Sequence, residues 1–209
     1  MYWTILLIIG ITAYAASGAL VAIEAEYSFI GVFVLGLTTA FGGGTIRNLL
    51  IGAPVSAIWD SQTITIVFLT LAVIVMLPLK WTQHWKRWGL FFDSIGLATF
   101  AIQGALTVKL IDGHLGLMLL AAMFTGLGGG MIRDLLAGKK PLALKEEIHA
   151  VLALFCGFYV WMDWTTPLQL TLAVFMVVTV RMFAIRRSLS LKLPYSLIKK
   201  ANPPQLEEN

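Results

Sequence analysis

The sequence predicts an all-α integral membrane protein in which seven transmembrane helices form an inverted repeat of three plus three helices and a seventh helix follows. Composition gives the class, because 58% of the 209 residues are hydrophobic and only 12% are charged. The mean hydropathy is +0.85. So few polar groups cannot cover a water-soluble globule, which makes lipid the expected solvent. An internal duplication gives the arrangement of the helices.

Seven apolar stretches are long enough to span a bilayer, which takes roughly 20 residues of helix. The predicted spans are 3–23, 28–51, 60–80, 90–110, 115–137, 148–164 and 167–186. Together they make one transmembrane domain, 1–187, followed by a cytoplasmic tail, 188–209. The seven tryptophans fall near predicted span ends, where amphipathic rings are favoured in a bilayer.

Basic residues indicate the orientation of the chain. With seven spans, a single face carries Lys80, Lys86, Arg87, Lys139, Lys140, Lys145, Arg186, Arg187, Lys192, Lys199 and Lys200, and Lys109 alone lies on the other. The positive-inside rule then places the N-terminus outside and the C-terminus in the cytoplasm. A basic inner face opposite anionic lipid accounts for the net charge of +4 without nucleic acid. Lys139, Lys140 and Lys145 are the candidate lipid contacts.

Two segments separated by 86 positions nearly repeat each other. The sequence GGGTIRNLLIG at 42–52 matches GGGMIRDLLAG at 128–138 at 8 of 11 positions. The repeat units are about 3–80 and 90–164, with the seventh helix, 167–186, outside them. Three spans per unit put the units in opposite orientations. Such inverted repeats are common in transport proteins, whose sites lie near the bilayer midplane between the units.

The glycine triplets lie near the predicted bilayer centre, about 20 Å along each helix at 1.5 Å per residue. Each glycine costs about 1 kcal/mol of helix preference relative to alanine. We therefore predict an unwound or kinked turn whose backbone carbonyls face a path for monovalent cations. The alternative is tight helix packing through small residues four positions apart. The predicted kink residues are Gly42, Gly43, Gly44, Gly128, Gly129 and Gly130.

Arg47 and Arg133 lie inside predicted spans, where an arginine facing lipid would cost about 3 kcal/mol or more. The candidate counter-charges are Asp134, Asp93 and Asp60. Adjacent residues on a helix do not face each other, so we expect Asp134 to reach another helix rather than Arg133. Our hypothesis is that Asp134 attracts permeating cations; the alternative is that these charges only hold helices together.

Asn48 occupies the position in the first repeat that Asp134 occupies in the second. No other chemistry is indicated. The three histidines have no metal-ligand spacing, Cys156 has no aligned base, and the motifs HExxH and GxSxG are missing, so we predict neither an enzyme nor a bound cofactor.

The paired motif GGG-x-I-R-[ND]-L-L, the sequence DSIGLATFAIQGAL at 93–106 and the layout of the spans resemble prokaryotic members of the TRIC family, the trimeric intracellular cation channels. This family is also labelled a glycine-transporter-domain family, and the resemblance covers about 1–187. It implies a homotrimer in which each protomer has its own pore for potassium and sodium between the second and fifth helices. It also implies that the glycine triplets, Arg47, Arg133 and Asp134 lie beside that pore. Asn48 departs from the acidic motif position.

Three functions stay open at this point. The leading one is passive conduction of monovalent cations. Inverted repeats with broken helices also suit a secondary transporter of glycine or another small amino acid. A third possibility is a non-transporting membrane assembly subunit, which would show dry, ion-paired helix interfaces.

Overall fold

Seven long α-helices make up most of the computed structural model, which describes residues 2–77, 85–111 and 113–187. The predicted tail, 188–209, lies outside the described residues. The helices are α1 (Tyr2–Glu24), α2 (Phe29–Leu50), α3 (Ser61–Met76), α4 (Trp85–Lys109), α5 (Leu115–Leu136), α6 (Glu147–Trp161) and α7 (Pro167–Arg187). A 3-10 helix, Val55–Ile58, precedes α3, and a single helical turn, Leu142–Lys145, precedes α6. The described part of the chain is therefore all-helical.

The helices differ in their capacity to span a membrane. By length and composition, α1, α2, α4, α5 and α7 are long and apolar enough. The other two, α3 and α6, are apolar but shorter, with 16 and 15 residues. At 1.5 Å per residue, helices of this length reach only about 24 Å, somewhat less than the hydrocarbon core of a bilayer.

A glycine at the same position of the repeated motif ends both α2 and α5. Gly52 and Gly138 both have φ of +67°, a left-handed conformation that glycine adopts without steric cost. The next amide returns to the helix in both cases, from Ala53 to the Asn48 carbonyl (2.9 Å) and from Lys139 to the Asp134 carbonyl (2.8 Å). This is the glycine C-cap expected where a helix must stop sharply. The last glycine of each repeated motif thus fixes where the helix ends.

Contacts between the two repeats are reciprocal. A β-carbon at Gly43 would overlap the carbonyl oxygen of Thr125. In the same way, a β-carbon at Gly129 would overlap the carbonyl oxygen of Thr39. Gly129 is 86 positions after Gly43, and Thr125 is 86 positions after Thr39. Reciprocal contacts of this kind are the signature of a two-fold axis. The axis passes through the crossing of α2 and α5.

The pair α1 and α4 follows the same relation. A β-carbon at Gly96 would overlap the Tyr14 ring, and at the equivalent Gly10 it would come within 3.3 Å of the Phe100 ring. The two rings lie together with centroids 5.0 Å apart. Tyr14 alone has a hydroxyl, which donates a hydrogen bond to the Gly126 carbonyl. The halves are therefore alike in packing and different in polar contacts.

Candidate functional site

The glycine triplets lie in uninterrupted helix, so the predicted unwinding is absent from the described conformation, while the predicted kink stays a prediction. Helix α2 continues to Leu50 and α5 to Leu136 through both triplets. Three glycines weaken a helix by about 3 kcal/mol in total. Unwinding would instead leave several backbone groups without partners in a medium that offers none.

Direct contact between the backbones of α2 and α5 explains the glycines. A β-carbon at Gly128 would lie 3.1 Å from the Cα of Gly43, and at Gly42 it would lie 2.7 Å from the side chain of Ile132. Only hydrogen fits in such a space, as at other small-residue crossings in membranes. Packing is thus the role that these contacts support in this conformation. Gly44 and Gly130 differ, because their nearest contacts are side chains at 3.5 Å and 3.4 Å.

A buried polar cluster lies near the end of α5, and we call Ser17, Asp93, Arg133 and Asp134 the inner cluster. Arg133 is 3% exposed, and its Nη1 donates to Asp93 Oδ1 (2.5 Å) and to Ser17 Oγ (2.7 Å). Its Nε donates to Asp134 Oδ1 at 2.8 Å. The sequence prediction of Asp93 as a counter-charge agrees with this geometry. Three side chains, one each from α1, α4 and α5, thus meet at one guanidinium.

The pairing of Arg133 with Asp134 contradicts the expectation that Asp134 would reach another helix instead. Both residues lie within the last turn of α5, and the long arginine side chain bends sideways to meet its neighbour. The second oxygen of Asp134 accepts a hydrogen bond from the Leu142 amide at 3.0 Å. Asp134 therefore also holds the turn that leads to α6.

The equivalent position at the other end of the crossing has no carboxylate. Arg47 is 7% exposed, and its Nε donates to Asn48 Oδ1 at 3.0 Å. Asn48 in turn donates to the Pro54 carbonyl at 2.8 Å. The Nη1 atom of Arg47 is buried without a hydrogen-bond partner among the described residues. Asp60, considered as its counter-charge, instead caps α3 by accepting from the Thr63 amide at 2.9 Å.

Sequence reasoning missed two residues that extend the inner cluster. Arg181 of α7 is fully buried, and its Nη2 contacts Asp93 Oδ2 and lies 2.6 Å from His149 Nε2. The signal was available, because Arg181 is a charge inside an apolar span and such residues have a partner or a function. His149 is one of the three histidines without metal-ligand spacing, and it is 2% exposed.

A cavity of about 260 Å³ leads to the inner cluster. Its lining contains all four members of the cluster and extends to Glu24, Lys139 and Lys140. The latter two lysines are exposed, and Lys139 Nζ pairs with Glu24 Oε2 at 3.1 Å. The cavity therefore connects a charged surface with a buried carboxylate pair. Lys145 is exposed and lies outside this lining, and lipid binding by the three lysines stays a prediction.

Fold and site together define a multi-pass membrane protein with two related halves and a polar cavity between its helices. The model of the glycine transporter family matches the chain twice, at residues 4–79 and 90–165. The chain belongs to this family, the TRIC family of membrane proteins.

Relatives and solved structures agree with this assignment. The UPF0126 membrane protein YvgT of Bacillus subtilis is 52% identical over 165 residues, which are 78% of this chain and 82% of that protein. The UPF0126 inner membrane protein YadS of Escherichia coli is 34% identical and covers 91% of this chain and 94% of its own length. A prokaryotic TRIC channel crystallised in 0.5 M KCl is 30% identical with a TM-score of 0.79, covering 91% of this chain and 100% of that one. The protein is accordingly a multi-pass protein of the prokaryotic cell membrane.

Proposed function

We propose that this protein is a channel for monovalent cations, potassium and sodium, with one path in each protomer between α2 and α5. The observation that carries the proposal is the cavity that leads from a charged surface to Asp93 and Asp134. This cavity lies between α1, α4 and α5, on the α5 side of the proposed path, and α2 contributes no residue to its lining. Structural similarity to TRIC cation channels supports it. The trimer named for the Rhodobacter sphaeroides relative is the assembly we propose here as well.

In the proposed topology all seven helices span the membrane, with the N-terminus outside and the C-terminus in the cytoplasm. The loops with Glu24 and Lys139 then lie at the cytoplasmic face. Lys109, whose ammonium pairs with Asp163, lies at the outer face. The excess of basic residues at the inner face supports this orientation. The cavity thus opens to the cytoplasm.

The described conformation is closed in this account, because the backbones of α2 and α5 touch at the glycines and Arg133 occupies the inner end. Carboxylates at the cavity floor attract cations, and the Arg133 guanidinium neutralises them while the path is closed. Opening requires Arg133 to leave Asp93 and the two helices to separate at their crossing. Three adjacent glycines lower the cost of that local rearrangement.

A second candidate is a carrier for glycine or another small zwitterion. The cavity favours it in one respect, since its lining presents carboxylates together with Arg133, Lys139 and Lys140. An amino acid needs one group of each sign. Alternating access between inverted repeats would move it across the bilayer.

Proteoliposomes loaded with potassium separate the two candidates. If the protein is a channel, potassium should leave the liposomes down its concentration gradient, and glycine should not affect this release. A carrier predicts saturable counterflow of labelled glycine without such release, and this result would overturn the proposal. Asp134→Asn should slow potassium release, since it removes the charge and keeps one side-chain oxygen that can accept a hydrogen bond. Asp163→Asn, which removes an exposed carboxylate at the opposite face, is the matched control and should leave release unchanged.

A further inference from the structure

Arg181 belongs to α7, the helix outside the repeat, yet it contacts the centre of the inner cluster. The two oxygens of Asp93 are divided between two arginines, with Oδ1 bound to Arg133 and Oδ2 to Arg181. Arg133 faces the cavity, whereas Arg181 is fully buried behind Asp93. One carboxylate is therefore held from the cavity side and from the protein side at once.

Stability alone is a poor explanation for Arg181. Its Nε and Nη1 are buried without hydrogen-bond partners in the described part of the chain. Burying a guanidinium costs free energy that an ion pair often fails to recover, and apolar residues of similar size are frequently as stabilising. A residue with this cost and no matching gain in hydrogen bonds calls for a functional reason.

His149 fixes the tip of Arg181. A guanidinium can only donate hydrogen bonds, so His149 Nε2 must accept from Arg181 Nη2, and the imidazole proton lies on Nδ1. His149 Nδ1 is 3.6 Å from Glu146 Oε2 at the start of α6. Arg181 is thus anchored on one side by a neutral imidazole and on the other by Asp93. Unlike Arg133, it does not line the cavity.

The first repeat contains no counterpart of this arrangement. The position 86 residues before Asp93 is Leu7, which has no charge. Among the described residues, no arginine plays the part near Arg47 that Arg181 plays near Arg133. The doubly bound carboxylate is therefore specific to the cytoplasmic half, where the cavity lies.

We propose that Arg181 is a positioning residue for permeation, which holds Asp93 in place and compensates its charge when Arg133 moves away. The inference rests on the proposed channel function. If Arg133 left Asp93 in a protein without Arg181, a buried carboxylate would remain without a partner. Leaving a buried polar group unsatisfied costs about 1–3 kcal/mol. Arg181 therefore favours the open state relative to the closed state.

Single-channel recording of the reconstituted protein in potassium tests this. Arg181→Met should lower the open probability by about tenfold, a change that corresponds to about 1.4 kcal/mol. The unitary conductance and the reversal potential should stay unchanged, since Arg181 lies outside the cavity wall. Arg181→Lys, which keeps the charge, should restore part of the open probability. Adding Asp93→Asn to Arg181→Met should raise the open probability above that of Arg181→Met alone, because no bare carboxylate is then produced on opening.

Controls separate positioning from packing. Val177→Ala loosens α7 at a fully buried site one turn earlier and should leave the open probability near the wild-type value. An effect of Val177→Ala as large as that of Arg181→Met, or failure of Asp93→Asn to rescue, would reduce Arg181 to a structural role. Should Arg181→Met fail to fold, Arg181→Lys and the double variant, which leaves no unpaired charge between these positions, still decide the matter. A wild-type protein without potassium current would overturn the channel and this inference with it, whereas wild-type current with no effect of Arg181 would overturn the inference alone.

Discussion

Arg133 donates a hydrogen bond to Asp93 across the interface between α5 and α4, with Nη1 2.5 Å from Oδ1. Both side chains are buried. The equivalent pair in the first repeat would be Arg47 and Leu7, and no such interaction can form there. The two ends of one crossing therefore differ in charge although their backbones pack alike.

This difference predicts unequal effects of the same substitution. Arg133→Gln should destabilise the protein by about 3 kcal/mol, because it leaves buried carboxylates with fewer partners. Arg47→Gln should be neutral or stabilising, since Arg47 has no carboxylate partner to lose among the described residues. Thermal unfolding in detergent measures both. Equal destabilisation by the two changes would contradict the assignment of partners.

The glycine crossing predicts a position-specific effect of a single methyl group. Gly43→Ala should cost about 1–3 kcal/mol, the usual penalty of overpacking, because its β-carbon would meet the Thr125 carbonyl. Gly44→Ala is the matched control, and since its nearest contacts are at 3.5 Å it should be neutral or stabilising by up to about 1 kcal/mol. Fluorescence-detected chromatography of heated samples compares them. If both variants were equally stable, α2 and α5 would not be in backbone contact.

Tyr14 provides a smaller test of the polar contacts. Tyr14→Phe removes the hydrogen bond to the Gly126 carbonyl and should cost about 1 kcal/mol. The ring should still pack on Gly96, since Phe100 occupies the equivalent position at Gly10 without a hydroxyl. Thermal unfolding of the variant beside wild type checks this, and a loss as large as that of Tyr14→Ala would show that ring packing was also disturbed.

The start of α3 predicts a pH-dependent contribution to stability. Hydrogen bonds from the Thr63 side chain and amide lower the pKa of Asp60. A lowered pKa in the folded state means that the contribution is complete above the ordinary aspartate pKa and is lost as the pH falls through the folded value. Asp60→Ala should cost about 1 kcal/mol near neutral pH. Melting curves of wild type and variant from pH 7 to 3 should converge, and a constant difference would contradict this capping role.

Accessibility of the cavity is measurable because Cys156 is fully buried and should not react. Val21 lines the cavity. A cationic thiol reagent applied from the cytoplasmic side should therefore reduce the potassium current of Val21→Cys and leave wild type unaffected. Block from the outer side only would reverse the proposed orientation.

The sequence was sufficient for the features that depend on local pattern and spacing. The apolar spans, the 86-residue duplication and Asp93 as one of three candidate counter-charges all follow from residue type and position. The continuous helix through the glycine triplets did not follow from the sequence. The low helix propensity of glycine is outweighed by the need for backbone hydrogen bonds in a bilayer and by close packing at the crossing. The burial of Arg181 in an apolar span could have been noticed, but its contacts with Asp93 and His149 could not be predicted, since they depend on how α6 and α7 pack against α4.

Recording of single channels from purified wild-type protein in a planar bilayer under a potassium gradient tests the central claim most directly. The account predicts discrete unitary currents that reverse near the equilibrium potential for potassium and persist without glycine. A bilayer that contains the folded protein and shows no unitary current at any voltage would contradict it.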